Sequence, residues 1–312
     1  MAMTVTINTI TGQHRSTFSR AIHNPRLLIG FGIIGSMALA ASVLPPLLGL
    51  DPLSVDPLNR LKPPSSAHLL GTDNFGRDLA ARILAGASTS LRLAASVTLM
   101  AAAVGVGIGI LASFSRSLDH VLMRICDGLM AIPALLLAVA LTATFGPNFS
   151  NLLIALSIVF VPGIARLVRA RALALRSETF VEAAVAMGAS NLHIMVRHIF
   201  PNVLSVLAVQ ATFIFAETIV IEAALSFLGA GVPPPGPSWG NILYDGKAAI
   251  AKAPYMVLFA STAIVMTVVA LTLIGDGLRD LVDPSMRAQP GVGMIRRLFN
   301  LVSPRSRNGE PV

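Results

Sequence analysis

The segment "VEAAVAMGASNLHIMVRHIFPN", from Val181 to Asn202, is a polar interruption between two long apolar runs. Glu182 lies near its start, and Arg197 and His198 lie near its end. Charged side chains are costly inside a lipid bilayer, so we expect this segment to lie outside the bilayer and to join two membrane-spanning helices.

Local signals predict short helices around this segment. Thr179 and Glu182 have the spacing of a capping box, in which both side chains satisfy backbone N–H groups at a helix start. Gly188 can adopt the positive φ that ends a helix, and Ser190 can cap a second helix running toward Pro201. Two short helices joined at a glycine would make a compact projection suited to docking a soluble partner. The alternative is an amphipathic connector resting on the lipid headgroups.

The composition is that of a membrane protein. Of the 312 residues, 54% are hydrophobic and 12% are charged, and the mean hydropathy is +0.75. The net charge is +8, but the 23 lysines and arginines lie between the apolar runs and form no single basic stripe. We therefore expect no nucleic-acid partner. The single cysteine, Cys126, cannot form an internal disulfide and is expected to be buried and inert.

Six apolar runs approach the ~20 residues that a helix needs to cross a bilayer. Asn24 and Pro25 provide a helix start for the first run, and Pro45 and Pro46 are predicted to stop it. This run exceeds the usual core of a signal peptide, which favours an uncleaved anchor. The predicted spans are Leu27–Leu44, Ala87–Ala112, Gly128–Phe145, Leu152–Val168, Val203–Leu228 and Tyr255–Ile274.

Basic residues predict the orientation of these spans. One side of the predicted membrane carries sixteen arginines, and the other carries six lysines and arginines. Because the basic side is normally cytoplasmic, both termini are predicted there. The chain is therefore predicted to have three parts: an amino-terminal cytoplasmic segment (1–26), a transmembrane domain (27–275) with a cytoplasmic connection at 177–201, and a cytoplasmic tail (276–312).

The cytoplasmic connection resembles the Glu-Ala-Ala loop of bacterial ABC importer permeases. The matching residues are Glu182, Ala183, Ala184, Gly188 and Pro201. The general pattern has Ile and Leu where this chain has His198 and Phe200, and "RHIFPN" is similar to the variant of the peptide and nickel branch. In that family the loop forms a coupling helix that docks on the ATP-hydrolysing subunit.

Three further stretches resemble the second permease subunit of dipeptide, oligopeptide and nickel importers. They are "GTDNFGRD" (Gly71–Asp78), "LSFLGAGVPPPGPSWGNIL" (Leu225–Leu243) and "GDGLRDLVDPSMR" (Gly275–Arg287). The resemblance implies an all-α, six-span permease of the type I ABC importer fold in a bacterial inner membrane. It also implies four kinds of partner: a second, homologous permease subunit, two ABC ATPase subunits, an extracytoplasmic substrate-binding protein and a peptide substrate that passes between the permeases.

Other motifs point away from enzymatic chemistry within this chain. Gly246-Lys247 is followed by Ala248 and so fails as a phosphate-binding P-loop, which places ATP hydrolysis on partner subunits. No cofactor and no metal site are expected, because the predicted spans hold no cluster of metal-ligand residues. Gly105, Gly107 and Gly109 lie mid-span without a preceding strand and are predicted to allow close helix packing.

Glu217 and Glu222 lie in the fifth predicted span, where carboxylates are expensive and should face protein or water. They could line a substrate path, brace helices together, or carry protons. Two rival functions stay open: the same machine importing nickel or another metal chelate, and a proton-coupled secondary transporter working alone. A non-transport membrane scaffold is a third.

Local patterns also suggest features outside the cytoplasmic connection. The outer segment before the second span, with Asp78 and Arg82 four residues apart, fits an amphipathic helix on the outer surface. Trp239 is expected to anchor at the membrane interface. Pro133 and Pro162 are each expected to interrupt a span, as a gate or as a kink.

Overall fold

The computed structural model describes residues 23–146 and 148–282, and within them the elements are helices and turns. A 3₁₀ turn lies at Pro57–Asn59, and a π turn lies at Met195–Ile199. The helices are α1 (Pro25–Leu48), α2 (Leu79–Phe114), α3 (Arg116–Met130), α4 (Ala134–Phe145), α5 (Phe149–Arg176), α6 (Thr179–Ala186), α7 (Asn191–Ile194), α8 (Phe200–Phe227), α9 (Trp239–Ala249) and α10 (Pro254–Val282).

Five helices in the described residues are long and apolar enough to cross a membrane, and a bent pair can make a sixth crossing. α1, α2, α5 and α10 are four of them, and the fifth runs without a break through α7, the π turn and α8. The prediction of six crossings is therefore met only if the bent pair counts as one span.

The third predicted span, Gly128–Phe145, is wrong as a single helix. Its first residues belong to α3, and α4 then leaves at 93° to it. Pro133 causes the break, because the residue before a proline is driven out of the helical conformation and Pro133 itself, with φ of −53° and ψ of 133°, is not helical. Pro162, by contrast, lies inside the continuous helix α5 and does not interrupt it.

α1 begins as predicted and ends later than predicted. The side chain of Asn24 accepts a hydrogen bond of 3.0 Å from the N–H of Arg26. Pro45 and Pro46 do not stop α1, which continues to Leu48. A proline keeps its own carbonyl, and that of Pro45 accepts the N–H groups of Gly49 and Leu50, so the last turn closes around it.

The core is built on the close contact of α2 with α5. A Cβ added at Gly105 would lie 2.7 Å from the Ile164 side chain, and one at Gly109 would lie 2.6 Å from the carbonyl of Ala165. Gly107 has no neighbour within 4 Å of such a Cβ. The predicted packing role is confirmed for Gly105 and Gly109, one helical turn apart, and is wrong for Gly107.

α1 packs along α10, so the two ends of the described chain meet. The Asn24 side chain donates to the carbonyl of Gly277 over 3.3 Å, and Arg26 pairs with Asp280 at 3.0 Å. Both ends of the described chain therefore lie on one side of the molecule. α10 continues to Val282, beyond the predicted boundary at 275, while 1–22 and 283–312 lie outside the described residues.

The prediction of a separate surface helix in the segment before the second span is wrong, because this segment leads directly into α2. Asp78 is the N-cap of α2 and accepts the N–H of Ala81 over 2.9 Å. Arg82 is only 3% exposed and does not pair with Asp78. Trp239 is likewise no interface anchor: it is fully buried and donates its ring N–H to the carbonyl of Ile83 over 3.1 Å.

Candidate functional site

The polar connection at 177–201 begins with α6, but the predicted capping box is absent. α6 starts at Thr179, so Glu178 takes the N-cap position with extended backbone, and no side chain caps this helix end. A capping box needs Thr179 itself at the N-cap, one residue outside the helix. The predicted short helix is therefore confirmed, whereas the predicted capping interaction is wrong. Glu182 lies exposed in the first turn.

α6 ends at Ala186, and Gly188, two residues further on, has φ of +82°. The N–H of Gly188 donates to the carbonyl of Val185 over 2.9 Å, and that of Ala189 donates to the carbonyl of Ala184 over 3.0 Å. These two bonds form a Schellman motif, which requires a left-handed residue at the position of Gly188. The predicted conformation of this glycine is confirmed.

The prediction that the second half of the connection is an independent short helix is wrong. Ser190 does cap its start, accepting the N–H of His193 over 3.3 Å. The helix then runs through the π turn into α8, where Phe200 donates to the carbonyl of Met195. Pro201 lacks the N–H of a regular helix, and the wider π turn just before it absorbs that defect without ending the helix.

The connection is anchored on one side and exposed on the other. Val181, Ile194 and Ile199 are buried and belong to the same apolar core as α2 and α5, and Ala184 is buried as well. On the outer side Glu182, Ala183, Gly188 and Pro201 are exposed, and apolar side chains stand beside them. The exposed fractions are 58% for Val185, 82% for Met187 and 68% for Leu192. We call these three side chains the apolar tip.

Glu217 lies exposed on α8, at the edge of a pocket of about 270 Å³. The pocket is formed where the α3–α4 bend meets Gly163 of α5, and its lining is otherwise apolar except for Gln210. Sequence reasoning missed Gln210. Its position seven residues before Glu217 was a usable signal, because residues seven apart lie on one helix face.

Glu222 lies in a different environment from Glu217. It is 1% exposed, and its carboxylate accepts hydrogen bonds from Ser226 at 2.7 Å and from Ser90 of α2 at 3.2 Å. Gly240 of α9 packs against Ser226 with no room for a side chain. Glu222 thus links α8 to α2, whereas Glu217 faces an open space.

A buried ionic cluster ties the segment before α2 to α9. Asp73 is 1% exposed and pairs with Arg82 and, at 2.7 Å, with Arg77. Both arginines also reach Asp245 of α9, at 3.1 and 3.3 Å. Burial raises the pKa of Asp73, but hydrogen bonds from Arg82 and from backbone amides outweigh it and hold that pKa below its usual value. For Asp245, burial dominates and the pKa is raised.

The stretch Gly71–Asp78 supplies most of this outer structure. Thr72 accepts the N–H of Lys62 over 2.8 Å through its hydroxyl group. Gly76 has φ of +76°, and a Cβ there would overlap the carbonyl of Asp56. The motif therefore builds the loop and caps α2, and it offers no free catalytic group.

Comparison with known proteins places the chain among transport permeases. A model of the family described as "Binding-protein-dependent transport system inner membrane component" matches residues 105–288. A Brucella suis protein named for a peptide transport system is 44% identical over 273 residues, covering 88% of this chain and 92% of that protein. The dipeptide transport system permease protein DppC of Alkalihalophilus pseudofirmus is 41% identical, with 88% and 90% covered.

Two further comparisons concern a third relative and the fold. The glutathione transport system permease protein GsiD of Pectobacterium atrosepticum is 41% identical over 72% of this chain and 75% of its own length. The inward-facing MetNI methionine ABC transporter has a chain that superposes with a TM-score of 0.55 at 21% identity, covering 64% of this chain and 96% of that one. The chain therefore has the fold of an ABC transporter permease and belongs to the family of binding-protein-dependent transport system inner membrane components.

Proposed function

We propose that this chain carries dipeptides or oligopeptides across the bacterial inner membrane as one permease subunit of an ATP-driven importer. The names of its relatives support a peptide substrate: they specify peptide, dipeptide and glutathione transport. Glutathione is itself a modified tripeptide, so all three names describe one chemical class.

The observation that carries this proposal is the anchored connection with its apolar tip. Exposed apolar side chains on a projection outside the membrane are costly in water and are typical of a contact surface. Val181 and Ile199 bury the opposite side in the core, so a force on the tip is transmitted to α5 and α8. We infer that this tip docks on an ATPase subunit and that Glu182, Ala183, Ala184, Gly188 and Pro201 shape it.

The other components of the importer belong to the same proposal. ATP hydrolysis belongs to two partner subunits, and an extracytoplasmic binding protein delivers the substrate to the side opposite the termini. A second, homologous permease faces the Glu217 pocket and completes the path. Glu222, hydrogen-bonded between α2 and α8, braces the helices and does not line the path. Both termini lie in the cytoplasm, as the arginine distribution predicts.

Reconstitution tests the proposal directly. This chain alone in proteoliposomes should neither hydrolyse ATP nor accumulate a labelled tripeptide, with or without a proton gradient. The full set of partners should accumulate it only when ATP and the binding protein are both present. Gradient-driven uptake by the single chain would establish a secondary transporter instead, and ATP-driven uptake of nickel without peptide uptake would establish a metal importer.

A further inference from the structure

The pocket beside Glu217 combines one carboxylate with an apolar wall. Its apolar lining comes from Leu129, Met130, Ile132, Pro133, Leu137 and Phe160, among others. In the described residues no lysine, arginine or histidine forms an ion pair with Glu217. A carboxylate without a basic partner favours a cationic one, because charge-assisted hydrogen bonds are stronger than neutral ones.

The cation that fits is an organic ammonium group. A hard metal ion would require about six oxygen ligands, and the pocket offers one carboxylate and the single amide of Gln210. An ammonium group needs only a few acceptors, and the carbon atoms attached to it can contact the apolar wall. At about 270 Å³ the pocket is slightly smaller than a usual small-ligand site, as expected if a second subunit completes it.

The spacing of the two polar groups matches an extended peptide. Gln210, Ile214 and Glu217 lie on one face of α8, and the first and last are separated by about 10 Å along the helix axis. An extended chain covers about 3.3 to 3.6 Å per residue, so this distance corresponds to three residues. A side-chain amide both donates and accepts hydrogen bonds, which suits a peptide group of any sequence.

We propose that this pocket is a subsite for the amino-terminal end of the peptide in transit, with Glu217 as the counter-charge of the α-ammonium group and Gln210 hydrogen-bonded to the backbone near the third residue. The apolar wall then contacts the first side chain without selecting its identity. This assignment rests on the proposed peptide-import function and adds to it the group that the permease recognises.

Equilibrium dialysis tests the subsite without interference from the binding protein. The probes are labelled Ala-Ala-Ala and its N-acetyl derivative, and the receptor is the nucleotide-free complex of both permeases and the ATPases in lipid nanodiscs. The wild-type complex should bind the free peptide about tenfold more tightly than the acetylated one. Glu217→Gln should remove this preference, and Glu217→Asp should retain most of it. Gln210→Met should weaken the binding of both peptides by a similar factor and leave the preference for the free peptide intact.

Several results would overturn the assignment. Equal binding of the two peptides by the wild-type complex, no binding of either, or a preference that survives Glu217→Gln would each do so. Loss of the partner permease on purification of Glu217→Gln, but not of Glu217→Asp, would show that Glu217 pairs with a basic residue of that subunit instead. After such a result, uptake by the complete wild-type system separates the two proposals. If the system imports Ala-Ala-Ala, only the subsite assignment has failed. If it imports no peptide, the proposed function has failed.

Discussion

Replacing Gly188 with valine is the sharpest test of the proposed coupling role of the connection at 177–201. Gly188 has φ of +82° and donates its N–H to Val185, while the next residue, Ala189, donates to Ala184. Both bonds need the left-handed backbone, which a β-branched side chain disfavours more than any other. Gly188→Val therefore forces a choice between backbone strain and loss of the Schellman motif.

The magnitude comes from the backbone alone. A Cβ built at Gly188 meets no atom within 4 Å, so the valine clashes with no neighbouring element. The strain of a non-glycine residue here is on the order of 1 to 3 kcal/mol, which lowers the population of the native loop by roughly 5- to 150-fold. Gly188→Asn is the matched control, because asparagine tolerates the left-handed region better than other side chains.

Three measurements on the same preparations distinguish an effect on the connection from an effect on the membrane-spanning helices. Membrane level and co-purification of the partner permease should be unchanged in Gly188→Val, since the spans are untouched. Co-purification of the ATPases and uptake of labelled peptide should fall sharply, and Gly188→Asn should lie much closer to wild type. A well-expressed Gly188→Val protein with normal ATPase retention and normal uptake would refute the coupling role and favour a surface connector.

Three further predictions concern the rest of the molecule. Cysteines replacing the exposed Ser66 and Ser117 should label only from outside and only from the cytoplasm, respectively; the reverse pattern would invert the topology. Asp73→Asn should lower thermal stability near neutral pH, because its two arginines lose a buried counter-charge at a cost of about 3 to 5 kcal/mol. The lowered pKa of Asp73 means that its stabilisation is present above the unfolded-state pKa and is lost as pH falls through the folded-state pKa. The stability difference between wild type and variant should therefore shrink only in strong acid, and a difference unchanged there would contradict the charge argument. Gly109→Ala should destabilise the protein by about 1 to 3 kcal/mol through contact with α5, whereas Gly107→Ala should be tolerated; equal melting temperatures would argue against the close helix contact.

The sequence by itself predicted the features that local chemistry determines. Apolar run length placed the long helices, because a bilayer core demands a nearly constant number of apolar residues per crossing. Asn24 and Ser190 were identified as caps, and Gly188 as a left-handed helix end, because these roles depend on a residue and its near neighbours along the chain. The family signature was readable for the same reason, since its residues are close in sequence.

Only the tertiary structure decided features that depend on distant partners. The sequence predicts an interruption at both Pro133 and Pro162, yet only Pro133 divides its run, into two helices at 93°, while α5 continues through Pro162. Glu217 and Glu222 are five residues apart and chemically identical, but α8 turns one toward an open pocket and the other toward the hydroxyl groups of Ser226 and Ser90. The environment of a side chain depends on which helices pack around it, and sequence spacing along a single helix does not contain that information.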